Sequence, residues 1–354
     1  MAIGKVIPLS KAYKQGHRKI LSDPVIRLSR WMGVFYLTED LEISYRTLAI
    51  GIILFAVLVA ERVLFLTFYP FQKHMKVITI LFVSVYYLNW SIALFRPIGG
   101  LRKALRESLD IAQKLDIDYT VSNLLYIPFT LIIMKYVFTT TMSPKSLTWL
   151  IELMHLASTL PTLLLQLQFA VVARFCCFAF VAMEKRIHTS DEVQLQRLAS
   201  IHCKMCCLWN VFNNHFGPII LVTIGFFIAL SMSYTYLFVS DSDVTWIELV
   251  RMGLRISYTL SSSMCAVYAV SRMRKEADSF NQTLKKVLFC RKYCSQQENL
   301  RLYIKMKIVV IPTACGFFQL RPTLFIKIFA GLLSYTVILL QFSGKSKIPI
   351  RADK

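Results

Sequence analysis

Blocks of apolar residues, each long enough to cross a lipid bilayer, constrain this chain more than any other feature. A bilayer core about 30 Å thick is crossed by about 20 residues of α-helix. Stretches that meet this length run near Arg46–Phe68, Met75–Arg96, Leu124–Met142, Leu147–Val181, Phe216–Val239, Trp246–Val270 and Thr323–Phe342. Hydrophobic residues make up 56% of the chain and charged residues 17%, whereas soluble proteins carry about a quarter charged residues. The expectation is an all-α membrane protein with seven transmembrane helices. Glu61 and Arg62 interrupt the first span, Arg251 and Arg255 the sixth, and Lys327 the seventh.

Orientation follows from where Lys and Arg fall, because cytosolic loops carry them in excess. Met1 to Tyr45 holds seven and lacks the apolar stretch of a signal peptide, so the N-terminus is expected in the cytosol. With that start, the cytosolic pieces carry 25 Lys and Arg and the outer pieces 7. Seven spans then place the C-terminus outside, opposite to a G-protein-coupled receptor. Four basic residues in the short tail, Lys345, Lys347, Arg351 and Lys354, oppose that placement. The net charge of +21 would raise nucleic-acid binding in a soluble protein. Here the cations lie between apolar blocks rather than on one face, which points to anionic lipid and not to nucleic acid.

The outer connections are short, as at 143–146 and 240–245, and the inner ones are long. Leu101, Leu105, Leu109, Ile111 and Leu115 recur at helical spacing, as do Val193, Leu195, Leu198, Ile201, Met205 and Leu208. Two readings stand: amphipathic helices lying on the membrane face, or intracellular helical extensions of spans four to six that pack as a subunit-joining domain.

All nine cysteines (176, 177, 203, 206, 207, 265, 290, 294, 315) fall in spans or on the expected cytosolic side, so disulfides are not expected. His202-Cys203 with Cys206-Cys207 has the spacing of half a zinc site. Apolar filling and lipidation are the competing uses of such cysteines, and no metal or other cofactor is assigned. The sequons at Asn89 and Asn281 fall in span two and in the cytosol, so neither is expected to carry glycan. No nucleophile elbow, zinc-protease helix, phosphate loop or dinucleotide fingerprint occurs, and the six histidines are scattered. The chain does not read as an enzyme.

The chain closes on Ser334-Tyr335-Thr336-Val337-Ile338-Leu339-Leu340-Gln341-Phe342. This resembles the ending of the insect gustatory receptors: Thr-Tyr, five apolar residues, then Gln-Phe. Ser334 stands in place of Thr, and Thr336 is only weakly apolar. Cys315 to Leu320 with Thr323-Leu324, and Leu198, His202, Asn213 and Phe216, are also similar to the family. The N-terminal half matches in span pattern alone.

That resemblance implies a tetrameric, ligand-gated, non-selective cation channel in the plasma membrane, with the last helix lining the pore. On it the chain divides into a cytosolic arm (1–45), helices one to six with a ligand pocket toward the outer side (46–270), cytosolic linker and anchor helices (271–312), a pore-lining helix (313–343) and an extracellular tail (344–354). Pore or gate positions are Ser334, Tyr335, Val337, Leu340, Gln341 and Phe342. Spacings of three and four put Ser334, Val337 and Gln341 on one face, while Tyr335 lies off it. A buried Gln is costly without a partner. It is satisfied either by water in a pore, with Leu340 or Phe342 closing the path by dewetting, or by hydration at the membrane interface.

Candidate pocket residues are the aromatics Tyr86, Tyr87, Trp90, Tyr136, Tyr234 and Tyr236, which could instead be interface anchors. Glu152, Glu248 and Arg251 join them because ionisable groups at membrane depth are costly. Glu248, Arg251 and Arg255 can share a face and partly pair. Sugar-sensing members carry Glu directly after the motif's Tyr. Thr336 there points to a bitter-type or divergent member. The implied partners are a small-molecule tastant, membrane lipid, and further copies of this chain or related subunits. A metabotropic seven-helix receptor, an odorant-receptor-like channel and a transporter are the alternatives.

Overall fold

The computed structural model of the chain describes residues 23–32, 35, 37, 43–68, 84, 87–92, 98–117, 126–142, 146–190, 192–240, 245–290 and 312–345. Its elements are α1 (Pro24–Trp31), α2 (Tyr45–Phe68), α3 (Ile98–Lys114), α4 (Ile127–Met142), α5 (Ser146–Ile187), α6 (Glu192–Ser240), α7 (Trp246–Cys290), β1 (Thr313–Ala314), β2 (Phe318–Gln319) and α8 (Thr323–Lys345). A further helical piece covers 87–92. The architecture is thus nearly all helical, and the departures among the described residues are the two-stranded hairpin before α8 and an isolated antiparallel bridge between Leu37 and Ile43.

Helix starts follow local chemistry. Asp23 Oδ1 accepts the Val25 N–H at 2.9 Å with Pro24 in the first turn of α1, and Ser44 accepts the Thr47 N–H at 3.3 Å before α2. Thr245 and Glu248 form a reciprocal capping box at α7: the Thr245 hydroxyl accepts the Glu248 N–H at 3.3 Å and Glu248 Oε2 accepts the Thr245 N–H at 3.1 Å. α3 ends in a Schellman pair, Ile117 N–H to the Ala112 carbonyl at 3.1 Å and Asp116 N–H to that of Gln113 at 3.3 Å. Asp116 takes the left-handed conformation (φ 47°) that this ending requires.

α5, α6 and α7 contain 42, 49 and 45 residues. At 1.5 Å per residue each reaches about 60–75 Å, roughly twice a bilayer core. Continuity of α6 from Glu192 decides between the two readings of Val193 to Leu208: this stretch extends the fifth span and does not form a separate helix. Likewise α7 runs through residue 270 to Cys290 without a break. By length and apolarity, segments Thr159–Ile187, Val193–Val239 and Thr323–Phe342 qualify as spans among the described residues, with shorter apolar helices at Tyr45–Ala60 and Ile127–Met142. Span two lies mostly outside the described residues.

The centre of the bundle is α5. Every residue from Pro161 to Ala173 is buried, as expected of a helix with no polar face that other helices surround. It packs against α1, α2, α4, α6 and α7. Phe169 meets Trp209 at 5.6 Å and Phe216 at 5.4 Å between ring centroids, locking α5 to α6. Farther along, Glu184 accepts from the hydroxyls of Ser279 (3.0 Å) and Thr283 (2.8 Å), tying α5 to α7.

Candidate functional site: the closing helix and the bundle interior

α8 rests on α6 through one face only. Phe325 is buried, 4% exposed, and Ile328, Leu332, Tyr335, Thr336 and Leu339 are half-buried. At about 100° per residue these six fall within a single arc of about 100°. Ser334, Val337 and Gln341 are exposed and lie on the opposite side of the helix, Val337 at 47%. The expected register therefore corresponds to a real surface: the stripe carrying Gln341 points away from the rest of the chain. Tyr335 falls on the packed face, and Leu340 and Phe342 are exposed beside the stripe. Phe329 meets Phe227 of α6 edge-on at 6.2 Å. The hydroxyls of Ser334 and Thr336 donate to the carbonyls of Ala330 (3.0 Å) and Leu332 (2.8 Å), so neither is left bare in an apolar helix.

The hairpin at the foot of α8 fixes its position. Cys315 (φ 53°) and Gly316 (φ 79°) are successive residues at positive φ, the requirement of a type I′ turn. Asn213 Oδ1 accepts the Thr313 N–H at 3.2 Å. A Cβ on Gly217 would stand 3.1 Å from the Cys315 nitrogen, so glycine there permits the close approach. Arg274 of α7 donates to Gln319 Oε1 at 3.4 Å. The next residue of α6 after Gly217 is Pro218, which leaves the carbonyl four residues earlier without its helical N–H. The hairpin is thus clamped between α6 and α7 at the point where the α6 ladder is interrupted. Asn213 and the Cys315 to Leu320 segment, singled out separately in the sequence, meet here.

The expected pocket residues do not form one group. Trp90 is buried and Tyr87 half-buried, both edge-on to Phe55 of α2 at 5.6 and 5.5 Å. Between them Asn89, fully buried, donates to Thr223 Oγ1 of α6 at 3.1 Å. Tyr234 is buried, and its phenolic oxygen accepts from Arg255 Nη1 at 3.1 Å, joining α6 to α7. Tyr236 is exposed and Tyr136 half-buried. Glu248 serves the α7 cap, also accepting from the Thr245 hydroxyl at 3.2 Å. Glu248 thus works at the helix cap and Arg255 reaches Tyr234. Arg251 is half-buried. Tyr86 and the side chain of Glu152 lie outside the described residues.

Several polar residues of α4, α5 and α7 are buried as well. Lys135 of α4 is 4% exposed, Gln166 of α5 is 1% exposed, and Thr139, Thr162, Thr259, Ser262 and Ser263 are also buried. Thr162 Oγ1, Gln166 Oε1 and Ser263 Oγ have no hydrogen-bond partner. Buried polar atoms normally have one, so these three are exceptions among the described residues.

The His202 cluster is a packing element. His202 stacks on Phe280 (5.2 Å, 22°), stands edge-on to Phe180 at 5.9 Å, and lies 3.8 Å from Cys206 Sγ. Among the described residues no group of three ligating side chains could hold a metal ion, and the described cysteines are free thiols.

A family model described as 7tm Chemosensory receptor matches residues 23–345. No curated protein matches at the sequence level. The insect olfactory receptor OR5 from Machilis hrabei is similar in fold, with a TM-score of 0.63 at 11% identity, covering 90% of this chain and 100% of that one. The same receptor in complex with eugenol gives 0.58 at 11% identity, over 94% and 98%. At that identity the likeness is one of fold.

Proposed function

This chain belongs to the 7tm chemosensory receptor family, and from that premise we propose that it is a ligand-gated, non-selective cation channel of gustatory type. In this reading four copies place α8 around a central path, and a tastant binding among the other helices opens it. The observation that carries it is the bare stripe of α8. An apolar helix of 20 residues, in which only Phe325 among the residues from Thr323 to Phe342 is fully buried, carries Gln341 in register with Val337 and Ser334 on its uncovered side. A Gln facing lipid gains nothing there, whereas facing water or a neighbouring copy it is satisfied. With the N-terminus in the cytosol, Gln341 lies at the outer end of the path and the clamped hairpin at the inner end.

The ligand pocket lies toward the outer side between α4, α6 and α7, with buried Lys135 as its ionisable contact and Tyr234 beside Arg255 at its edge. An ionisable group buried at membrane depth is a functional residue by default. Thr336, where sugar-sensing members carry Glu, favours a bitter-type ligand. The fold likeness to an olfactory receptor favours a second reading, an odorant-gated channel of the same mechanism.

Calcium influx in cells expressing the chain, exposed to bitter compounds, sugars and volatile odorants, tests both. Influx with bitter compounds alone supports the first reading, and influx with volatiles alone supports the second. Surface labelling of an N-terminal tag on unpermeabilised cells would instead match a metabotropic topology and sink both.

A further inference from the structure

The Lys and Arg residues of the inner extensions are not scattered evenly over the surface. The end of α3, the end of α5 and the first turns of α6 enclose a cavity of about 720 Å³, within the range of about 300–1,000 Å³ that holds small ligands. Lys114, Arg186, Arg197 and Lys204 line it, with Asp110 as the one carboxylate among the described lining residues. Asp110 is matched by Lys114 at 2.6 Å. Arg186 Nη1 donates to the Lys114 carbonyl at 2.9 Å, which fixes that guanidinium and satisfies an end carbonyl of α3. A guanidinium has five N–H donors, so most of its capacity remains. Among the described residues neither Arg197 nor Lys204 has a carboxylate partner. Like charges held together around a cavity repel one another unless an anion joins them.

We propose that this cavity binds a phosphate-bearing anion. Phosphate offers several acceptor oxygens and more than one charge, matching a group of guanidinium and ammonium cations better than a carboxylate does. Ser200 and Thr189 add hydroxyls to the lining. Two sources share this chemistry, a soluble polyphosphate and a lipid headgroup. Placement favours the soluble one. Lys204 lies 12 residues and Arg197 19 residues before Phe216, about 18 and 28 Å along the helix from the start of its membrane part. The site goes beyond the channel reading and is measured without current, so its failure leaves that reading untouched.

The test uses the purified full chain, with ATP and inositol hexakisphosphate as soluble probes. Phosphatidylcholine vesicles, with and without phosphatidylinositol bisphosphate, form the lipid arm. The variant Arg197→Gln/Lys204→Gln is compared with Lys103→Gln/Arg106→Gln, which removes two exposed cations outside the cavity. Melting temperature confirms that each variant folds. A loss of about tenfold or more in soluble-probe affinity, confined to the cavity variant, establishes the site and a soluble source. The same confined loss seen only with vesicles establishes the site and a lipid source. Equal losses in both variants, or no binding of any probe, overturn the proposal.

Discussion

Asn213 of α6 accepts the backbone N–H of Thr313, one hundred residues further along, at 3.2 Å. Through this bond the hairpin that starts α8 hangs on a helix of the bundle, alongside the direct packing of α8 on α6. Asn213→Ala removes the acceptor and is expected to cost about 1 kcal/mol, read as a lower melting temperature of the purified protein and a shifted concentration–response curve. Asn213→Asp keeps the oxygen and should remain near wild type. Identical behaviour of the two variants would count against the bond.

Gly217 seats the same hairpin by lacking a side chain. Gly217→Val is expected to destabilise by about 1–3 kcal/mol, because its Cβ would press on backbone at 3.1 Å. Gly225, two turns on, has open space where a Cβ would stand, so Gly225→Ala should leave the melting temperature unchanged or raise it. The contrast between the two glycines is the readout.

Tyr234 and Arg255 join α6 to α7 inside the bundle. Tyr234→Phe takes the acceptor from a charged donor and should destabilise by about 1.5–3 kcal/mol. Removing both partners, Tyr234→Phe with Arg255→Met, should cost less than the sum of the two single changes, since residues in contact couple. Thermal unfolding of the single and double variants checks the order.

Gln341→Ala is expected to change ion permeability ratios with surface expression intact. Unchanged ratios in cells that respond to ligand would remove Gln341 from the conduction path.

Much of this site can be read from the chain, for stated reasons. Helical spacing put Ser334, Val337 and Gln341 together, and the half-buried Leu332, Tyr335 and Leu339 show that α8 turns its other side inward. What remained hidden shows as clearly why. Lys135 is one charge in an apolar stretch and does not shift its hydropathy. Only burial separates it from a lysine reaching out to water. Glu248 drew attention as a membrane-depth charge, although Thr245-x-x-Glu248 spells a capping box. Hydropathy marked 270 as an end for α7, but Ser271 to Cys290 holds no Gly or Pro to stop a helix. Gly316 after Cys315 is a local turn signal, and both residues stand at positive φ. The bond from Asn213 to Thr313 has no local signature at all, because tertiary packing alone brings its ends together.

Whether the bare stripe of α8 meets water is tested most directly by cysteine substitution at Ser334, Val337 and Gln341, with Leu332 and Leu339 as packed controls. Each is exposed in intact cells to a charged, membrane-impermeant thiol reagent and scored against the unsubstituted chain. Labelling at all three stripe positions, with Leu332→Cys and Leu339→Cys protected, is the expected pattern of a water-filled path. Protection of Ser334→Cys and Val337→Cys, with or without labelling at the outermost Gln341→Cys, would contradict a pore lined by this helix.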